Sequence, residues 1–299
     1  MDIKECPNLS APSLSSSTRW WSKDTVAVVT GANKGIGFSM VKKLAELGLT
    51  VILTARDTER GRKAVDELRR QHGLHVYFHR LDVSDSVSIK AFVDWLRQNL
   101  GVLDILVNNA GVSFNGLHEN SVGHAETVIK TNFCGAKLLT ESLLPLFRNS
   151  ASKGRIVNIS SRLGSFDKMR NPKMRKMLES ETLTVEQIEE IVNLFLENVK
   201  KGTWKSQGWP EYWTDYAVSK MALNAYSQVL ARRYQDNGRL LTIICFCPGF
   251  TQTSMTGGKG TYTADYAGEA GVRLALLPPE DLSIGTFHKL THTGIKSKM

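Results

Sequence analysis

Seven short runs dominated by Val, Ile and Leu punctuate the chain: Val26–Thr30, Thr50–Ala55, His75–Leu81, Asp104–Asn108, Arg155–Ser160, Leu241–Cys247 and Gly285–Leu290. They are nearly continuous in apolar residues, the pattern of strands covered on both faces. Stretches long enough for crossover helices separate them. Strand alternating with helix predicts one α/β domain, a doubly wound parallel sheet with helices on both faces.

One segment breaks the rhythm. About residues 165–212 form a helical insertion between the fifth run and the next long helix. It opens with Lys168, Arg170, Lys173, Arg175 and Lys176. No aromatics interleave with these cations, so they read as a solvated face rather than a nucleic-acid patch. Thr184 and Gln187 then make a capping-box pattern, and Ile188, Ile191, Val192, Phe195 and Val199 follow at helical spacing. Trp204, Trp209, Tyr212 and Trp213 close the segment around Gly208 and Pro210.

Composition narrows the class. The chain has 299 residues and a net charge of +9, from 38 Lys and Arg against 29 Asp and Glu. A net sign without a clustered stripe does not make a nucleic-acid binder. The 7 histidines and 4 cysteines show no zinc spacing, so no metal site is expected, and no disulfide scaffold. No apolar run is long enough to span a membrane. Residues 1–22 are Ser-rich, carry Asp2, Lys4 and Glu5, and read as a flexible leader ending in the anchor Trp20-Trp21, ahead of a domain over 23–299. A cytoplasmic location is expected. The final Ser297-Lys298-Met299 is one residue from a peroxisomal address, which keeps that alternative open.

The first run leads into Thr30-Gly31-Ala32-Asn33-Lys34-Gly35-Ile36-Gly37. A glycine-rich turn between a strand and a helix lets backbone approach a pyrophosphate, and the helix N-terminus offers it free N–H groups. This points to a Rossmann-like domain holding a dinucleotide. The second run ends in Arg56 where an acid would meet a free ribose 2′-hydroxyl, and Lys34 adds a second cation. Together they favour NADPH/NADP+ over NADH. Asp57 is the one contrary residue, and its carboxylate is expected to turn away. Asp82 and Val83, after the third run, are placed to cap the adenine.

Three further signals follow in order: Asn108-Asn109-Ala110-Gly111, Ser160-Ser161, and Tyr216-Ala217-Val218-Ser219-Lys220. With the glycine turn, they resemble the short-chain dehydrogenase/reductase family over about residues 24–290. The gap from Ser161 to Tyr216 (216 − 161 = 55) is far longer than in most members. It is similar to the plant monomeric carbonyl-reductase branch, whose insertion covers the helices used elsewhere for oligomerisation. The resemblance implies a monomer. It also implies a catalytic tetrad of Asn132, Ser161, Tyr216 and Lys220, with Ser161 chosen over Ser160 because Gly164 stands three residues on. Asn109, Ala110 and Gly111 would line the cofactor, Lys220 would hold the nicotinamide ribose, and Asn132 would hold a relay water. Pro248, Gly249, Thr251 and Thr253 would meet the nicotinamide amide, with Thr251 where many members have Val.

The chemistry fits those roles. A ketone accepting hydride develops negative charge on oxygen and needs a proton and hydrogen-bond donors. Tyr216 and Lys220 are i and i+4 on one helix, which predicts an ammonium close enough to lower the phenol pKa. Ser161, Arg162, Leu163, Tyr216, Trp213 and Met255 are candidate substrate contacts, with Phe114, Phe166 and Trp209 as further wall. About residues 252–264 would be a lid. Cys245 and Cys247 share a strand face and read as buried thiols; Cys134 gets no role, and Asp104 is expected to brace the fourth strand. The reading is an NADP-dependent oxidoreductase acting on a small ketone, aldehyde or enone, with no nucleic-acid partner. A catalytically idle NADP(H) sensor, or alcohol oxidation as the working direction, remains the alternative.

Overall fold

A computed structural model describes residues 19–114, 121–148, 154–236, 241–278, 285–291 and 294–298. Among them a single sheet carries eight strands in the order β3-β2-β1-β4-β5-β6-β7-β8. The strands are β1 (Val26–Val29), β2 (Thr50–Ala55), β3 (Tyr77–Arg80), β4 (Ile105–Asn108), β5 (Gly154–Ile159), β6 (Leu241–Cys247), β7 (Phe287–Thr291) and β8 (Gly294–Lys298). Pairing is parallel from β3 through β7, as the apolar runs predict. β1, β4, β5 and β6 are buried at every position, so both of their faces are covered.

The helices are α1 (Gly35–Glu46), α2 (Thr58–His72), α3 (Ser86–Asn99), α4 (Val122–Ile129), α5 (Ala136–Leu143), α6 (Pro172–Leu178), α7 (Val185–Lys200), α8 (Thr214–Asp236) and α9 (Ala264–Leu276). One apolar layer packs α1, α2 and α9 against Val29, Leu53, Val107 and Phe246. The other packs α3, α4, α5 and α8 against Val28, Ile52, Leu106 and Ile156, and α7 lies in the same layer through Ile188, Val192 and Phe195. The α7 capping box forms as the sequence predicts: the Gln187 N–H donates to Thr184 Oγ1 and the Thr184 N–H to Gln187 Oε1. Helix α7 is also tied to the main domain by Lys137–Glu189 and Lys200–Glu126 ion pairs. No described helix is long and apolar enough to cross a membrane.

Three features depart from the sequence expectations. β8 is an added strand, antiparallel to β7, with Ser297 opposite His288 and Lys298 opposite Phe287. Gly-Ile-Lys-Ser-Lys has a single large apolar side chain, so periodicity gives no signal there. The boundary at residue 22 also falls inside packed structure. Trp21 is 4% exposed, the Trp20 indole N–H donates to the Leu276 carbonyl and Arg19 donates to the Leu47 carbonyl, joining the ends of α1 and α9. Residues 1–18 lie outside the described residues. Finally, Lys130–Gly135 is a π-helical turn that runs between α4 and α5.

Asp104 accepts from the Val26 N–H at 2.8 Å and pairs with Arg148, bracing β1 and β4 where the strands begin. The chain leaves β1 toward β2 and returns to β4 on the other side. The switch in direction opens a crevice beyond the carboxyl ends of these strands, where open α/β sheets take their ligands.

Candidate active site

The glycine turn sits at that crevice. Gly31 and Gly35 have φ of 60° and 61°, a region that disfavours other residues. A Cβ on Gly31 would stand 2.8 Å from Ala110 Cα, and one on Gly37 would meet the Asn109 amide. The Asn109 side chain donates to the carbonyls of Thr30 and Gly31, while Thr30 Oγ1 accepts from the N–H groups of Asn109 and Ala110 at 3.0 and 2.9 Å. The two loops thus form one tight cradle, and only glycine fits its closest points. Ile36 is partly buried and packs its side chain against the core. Asn33 is half-buried and Lys34 exposed beside it. Thr253 reaches the cradle from the loop after β6, its methyl 3.5 Å from a Cβ placed on Gly35.

Arg56 is exposed at the end of β2. Asp57 turns away as expected: its carboxylate caps α2, accepting from the Arg60 N–H at 2.9 Å. Asp82 accepts from the Ser84 N–H and hydroxyl. Partial burial raises its pKa, but those bonds and the charges of Arg56 and Arg80 outweigh it and leave the carboxyl below its usual range. Val83 is buried beside it. The residues present therefore fit a dinucleotide with an anionic group near Arg56 and Lys34.

Along the crevice lie the other expected residues. Ser160 and Ser161 take different roles. Ser160 is 2% exposed and donates to Asn224 Oδ1 at 2.6 Å. Ser161 is half-buried, its hydroxyl accepts from the Leu163 N–H at 3.2 Å, and it lies close enough to the Tyr216 phenol to lower that group's pKa. Lys220 is 4% exposed, donates to the Ile159 carbonyl at 2.7 Å, and lies 5.6 Å from the Tyr216 ring centre. Burial lowers its pKa to about 8, against smaller upward effects of Cys245 and Cys247. Asn132, in the π-turn, exchanges bonds with the Val112 backbone and donates to Ser219 Oγ at 3.1 Å. A Cβ on Gly111 would come within 3.3 Å of Asn132 Oδ1 and 3.7 Å of Lys220 Nζ, so the bare glycine keeps the space between them clear.

The expected lowering of the Tyr216 pKa is not found. Burial pushes the phenol well above its ordinary value, and the Ser161 bond only partly offsets this. The Lys220 ammonium donates to the Ile159 carbonyl, not to the phenol.

The loop after β6 is hooked back on itself. Thr261 and Tyr262 N–H groups donate to the Phe250 carbonyl, and the Gln252 N–H to the Tyr262 carbonyl. Pro248 is buried, and Gly249, at φ 74°, leaves room for the Tyr262 ring. Thr251 is buried and its hydroxyl donates to the Pro248 carbonyl, so the Thr in place of Val is satisfied locally.

The candidate substrate contacts divide. Arg162 is exposed; Leu163 and Met255 are half-buried. Phe114 is 42% exposed and stacks on His124 at 4.1 Å. Trp213 sits at φ 46° just ahead of Tyr216, with its indole N–H buried and unpaired. Trp209 is not a pocket wall: it is 3% exposed, packs on Phe195 and donates to Asn198 Oδ1. Phe166 likewise packs against the core. Cys245 and Cys247 are buried free thiols as expected, and Cys247 accepts from the Arg162 N–H. Asn224 stands at i+8 from Tyr216 and i+4 from Lys220 on the same helix face, a spacing that the Tyr–Lys motif does not include.

Comparison with known proteins agrees with this geometry. Residues 25–173 match the short chain dehydrogenase family model. The chain is 40% identical over 261 residues to carbonyl reductase (NADPH) 1 of Homo sapiens, covering 85% of this chain and 92% of that one. Its structure is similar to that of salutaridine reductase from Papaver somniferum, with a TM-score of 0.82 and 36% identity, covering 88% of this chain and 99% of that one. It is also similar to the menthone neomenthol reductase of Mentha piperita, with a TM-score of 0.76 and 36% identity over 89% and 98% of the two chains.

Proposed function

The chain belongs to the short-chain dehydrogenase family, and we propose that it is an NADPH-dependent carbonyl reductase in which Tyr216 is the acid–base group. One observation carries this reading: Ser161, Tyr216, Lys220 and Asn132 converge where the glycine turn and the β6 loop meet. When bound, the cofactor supplies the hydride. Gly31, Asn33, Gly35, Ile36 and Gly37 would hold its pyrophosphate through backbone, and Arg56 and Lys34 its 2′-phosphate. Asp82, Val83, Asn109, Ala110 and Gly111 would line the adenine half, and Pro248, Gly249, Thr251 and Thr253 the nicotinamide half.

Tyr216 would give its proton to the substrate oxygen, a direction suited to a phenol held neutral by burial. Ser161 would donate a second hydrogen bond to the same oxygen. Lys220 would replenish the proton through a water held at Asn132, and a lysine with a pKa of about 8 is poised to exchange it near neutral pH. Arg162, Leu163, Trp213, Met255 and Phe114 are the side chains available to wall the substrate. Apart from Arg162 they are apolar or aromatic, which suits a bulky ketone or an enone.

The relatives' names suggest where to begin: NADPH oxidation is followed with menthone and salutaridine. Turnover abolished in Tyr216→Phe supports the assignment; turnover unchanged in that variant refutes it. Because α7 covers α4 and α8, the chain is read as a monomer, which sedimentation tests directly. The Ser297 and Lys298 backbone is paired with β7, which favours the cytoplasm over recognition as a peroxisomal address. Import of a fluorescent fusion, with and without the last three residues, decides this.

A further inference from the structure

Ser161 sits on a turn leaving β5, whereas Tyr216 and Lys220 sit on α8. Something must hold the two elements in register to within a hydrogen bond. Asn224, 6% exposed on α8, grips the turn on both sides of Ser161. Its Oδ1 accepts from Ser160 Oγ at 2.6 Å and its Nδ2 donates to the Gly164 carbonyl at 3.0 Å. Gly164 rests on the Lys220 backbone, where a Cβ would come within 2.5 Å. Cys247, from the neighbouring strand, closes the turn from below by accepting the Arg162 N–H at 3.2 Å.

We propose that Asn224 is a positioning residue that sets the Ser161–Tyr216 contact by clamping the turn after β5 onto the catalytic helix. The inference rests on the catalytic reading above. A side-chain amide suits the task because one group accepts on one arm and donates on the other. No apolar residue of similar size can do both, and removing it leaves the Ser160 hydroxyl and the Gly164 carbonyl buried without a partner. With the clamp lost, Ser161 no longer holds the Tyr216 phenol, and the phenol pKa moves further up.

The test compares Asn224→Leu with wild type in NADPH binding by fluorescence, turnover of whichever of menthone and salutaridine wild type reduces faster, and a crystal structure of the variant. The expected result is a fall in kcat of at least tenfold, an NADPH Kd within twofold of wild type, and Ser161 displaced from Tyr216. The acidic limb of the kcat profile for oxidation of the corresponding alcohol by NADP+ should move to higher pH. Ser160→Ala, which removes one arm only, should show a smaller shift in the same direction, and it serves if Asn224→Leu does not fold. A variant that loses thermal stability but keeps kcat, the pH profile and the Ser161 position overturns the proposal. Activity surviving in Tyr216→Phe instead overturns the catalytic reading, whatever Asn224 does.

Discussion

Gly164 and Lys220 meet backbone to backbone: a Cβ on Gly164 would stand 2.5 Å from the carbonyl carbon of Lys220. Gly164 is buried, and nothing flexible lies in the way that could yield. Gly164→Ala must push the Ser161 turn off α8. Overpacking of this kind costs about 1–3 kcal/mol, read as a lower urea midpoint, and kcat should fall more than NADPH affinity does.

Tyr216→Phe removes the proton donor and keeps the ring. Turnover should fall about 100- to 10,000-fold, the range spanned by positioned general acids, while NADPH still binds. Stopped-flow turnover and a fluorescence titration of NADPH measure the two quantities separately.

Arg56→Ala should weaken NADPH and leave NADH nearly unchanged. A hydrogen bond to a charged group contributes about 1.5–3 kcal/mol, so the NADPH Kd should rise roughly 10- to 100-fold. Parallel titrations with the two cofactors give the ratio. Equal losses for both would place the 2′-phosphate elsewhere.

His288 is 1% exposed, its Nε2 shares a hydrogen with Thr286 Oγ1 at 2.7 Å, and its Nδ1 is buried without a partner. Burial lowers its pKa from 6.5 to about 4. The unfolded chain therefore binds a proton between those values that the folded chain refuses. Stability is fully retained above about pH 6.5 and falls as pH drops toward 4, by roughly 3 kcal/mol. Urea titrations from pH 7 to 4.5 should show this slope in wild type and a shallower one in His288→Gln.

Trp21→Ala should destabilise the domain by about 3–5 kcal/mol, since a buried ring of the apolar layer that holds α1, α2 and α9 is lost. A thermal midpoint equal to wild type would return these residues to the flexible leader.

The parallel strands and the glycine turn are legible in the sequence because their signals are local: apolar runs in one case, a glycine pattern after a strand in the other. The pairing of Ser161 with Tyr216 needs two motifs 55 positions apart, and only the resemblance joins them. What failed depends on direction or environment. Trp209 and Trp213 are alike in composition, yet one fills the insertion and the other borders the catalytic helix. The spacing of Tyr216 and Lys220 shows a nearby cation but not the burial that outweighs it. β8 gains its place from backbone bonds to β7, which side-chain patterning does not report. Asn224 was within reach of helical periodicity, but its purpose lies in the partners on another element.

Asp57 starts a helix and, in doing so, takes itself out of cofactor choice. To meet a ribose hydroxyl its carboxylate would have to let go of the Arg60 N–H, a loss of about 1 kcal/mol in capping. If Arg56 holds the 2′-phosphate as proposed, drift toward NADH is resisted twice over, once by that cation and once by the stability of α2. An evolutionary or engineered switch of cofactor has to supply a new acid and a new helix start together.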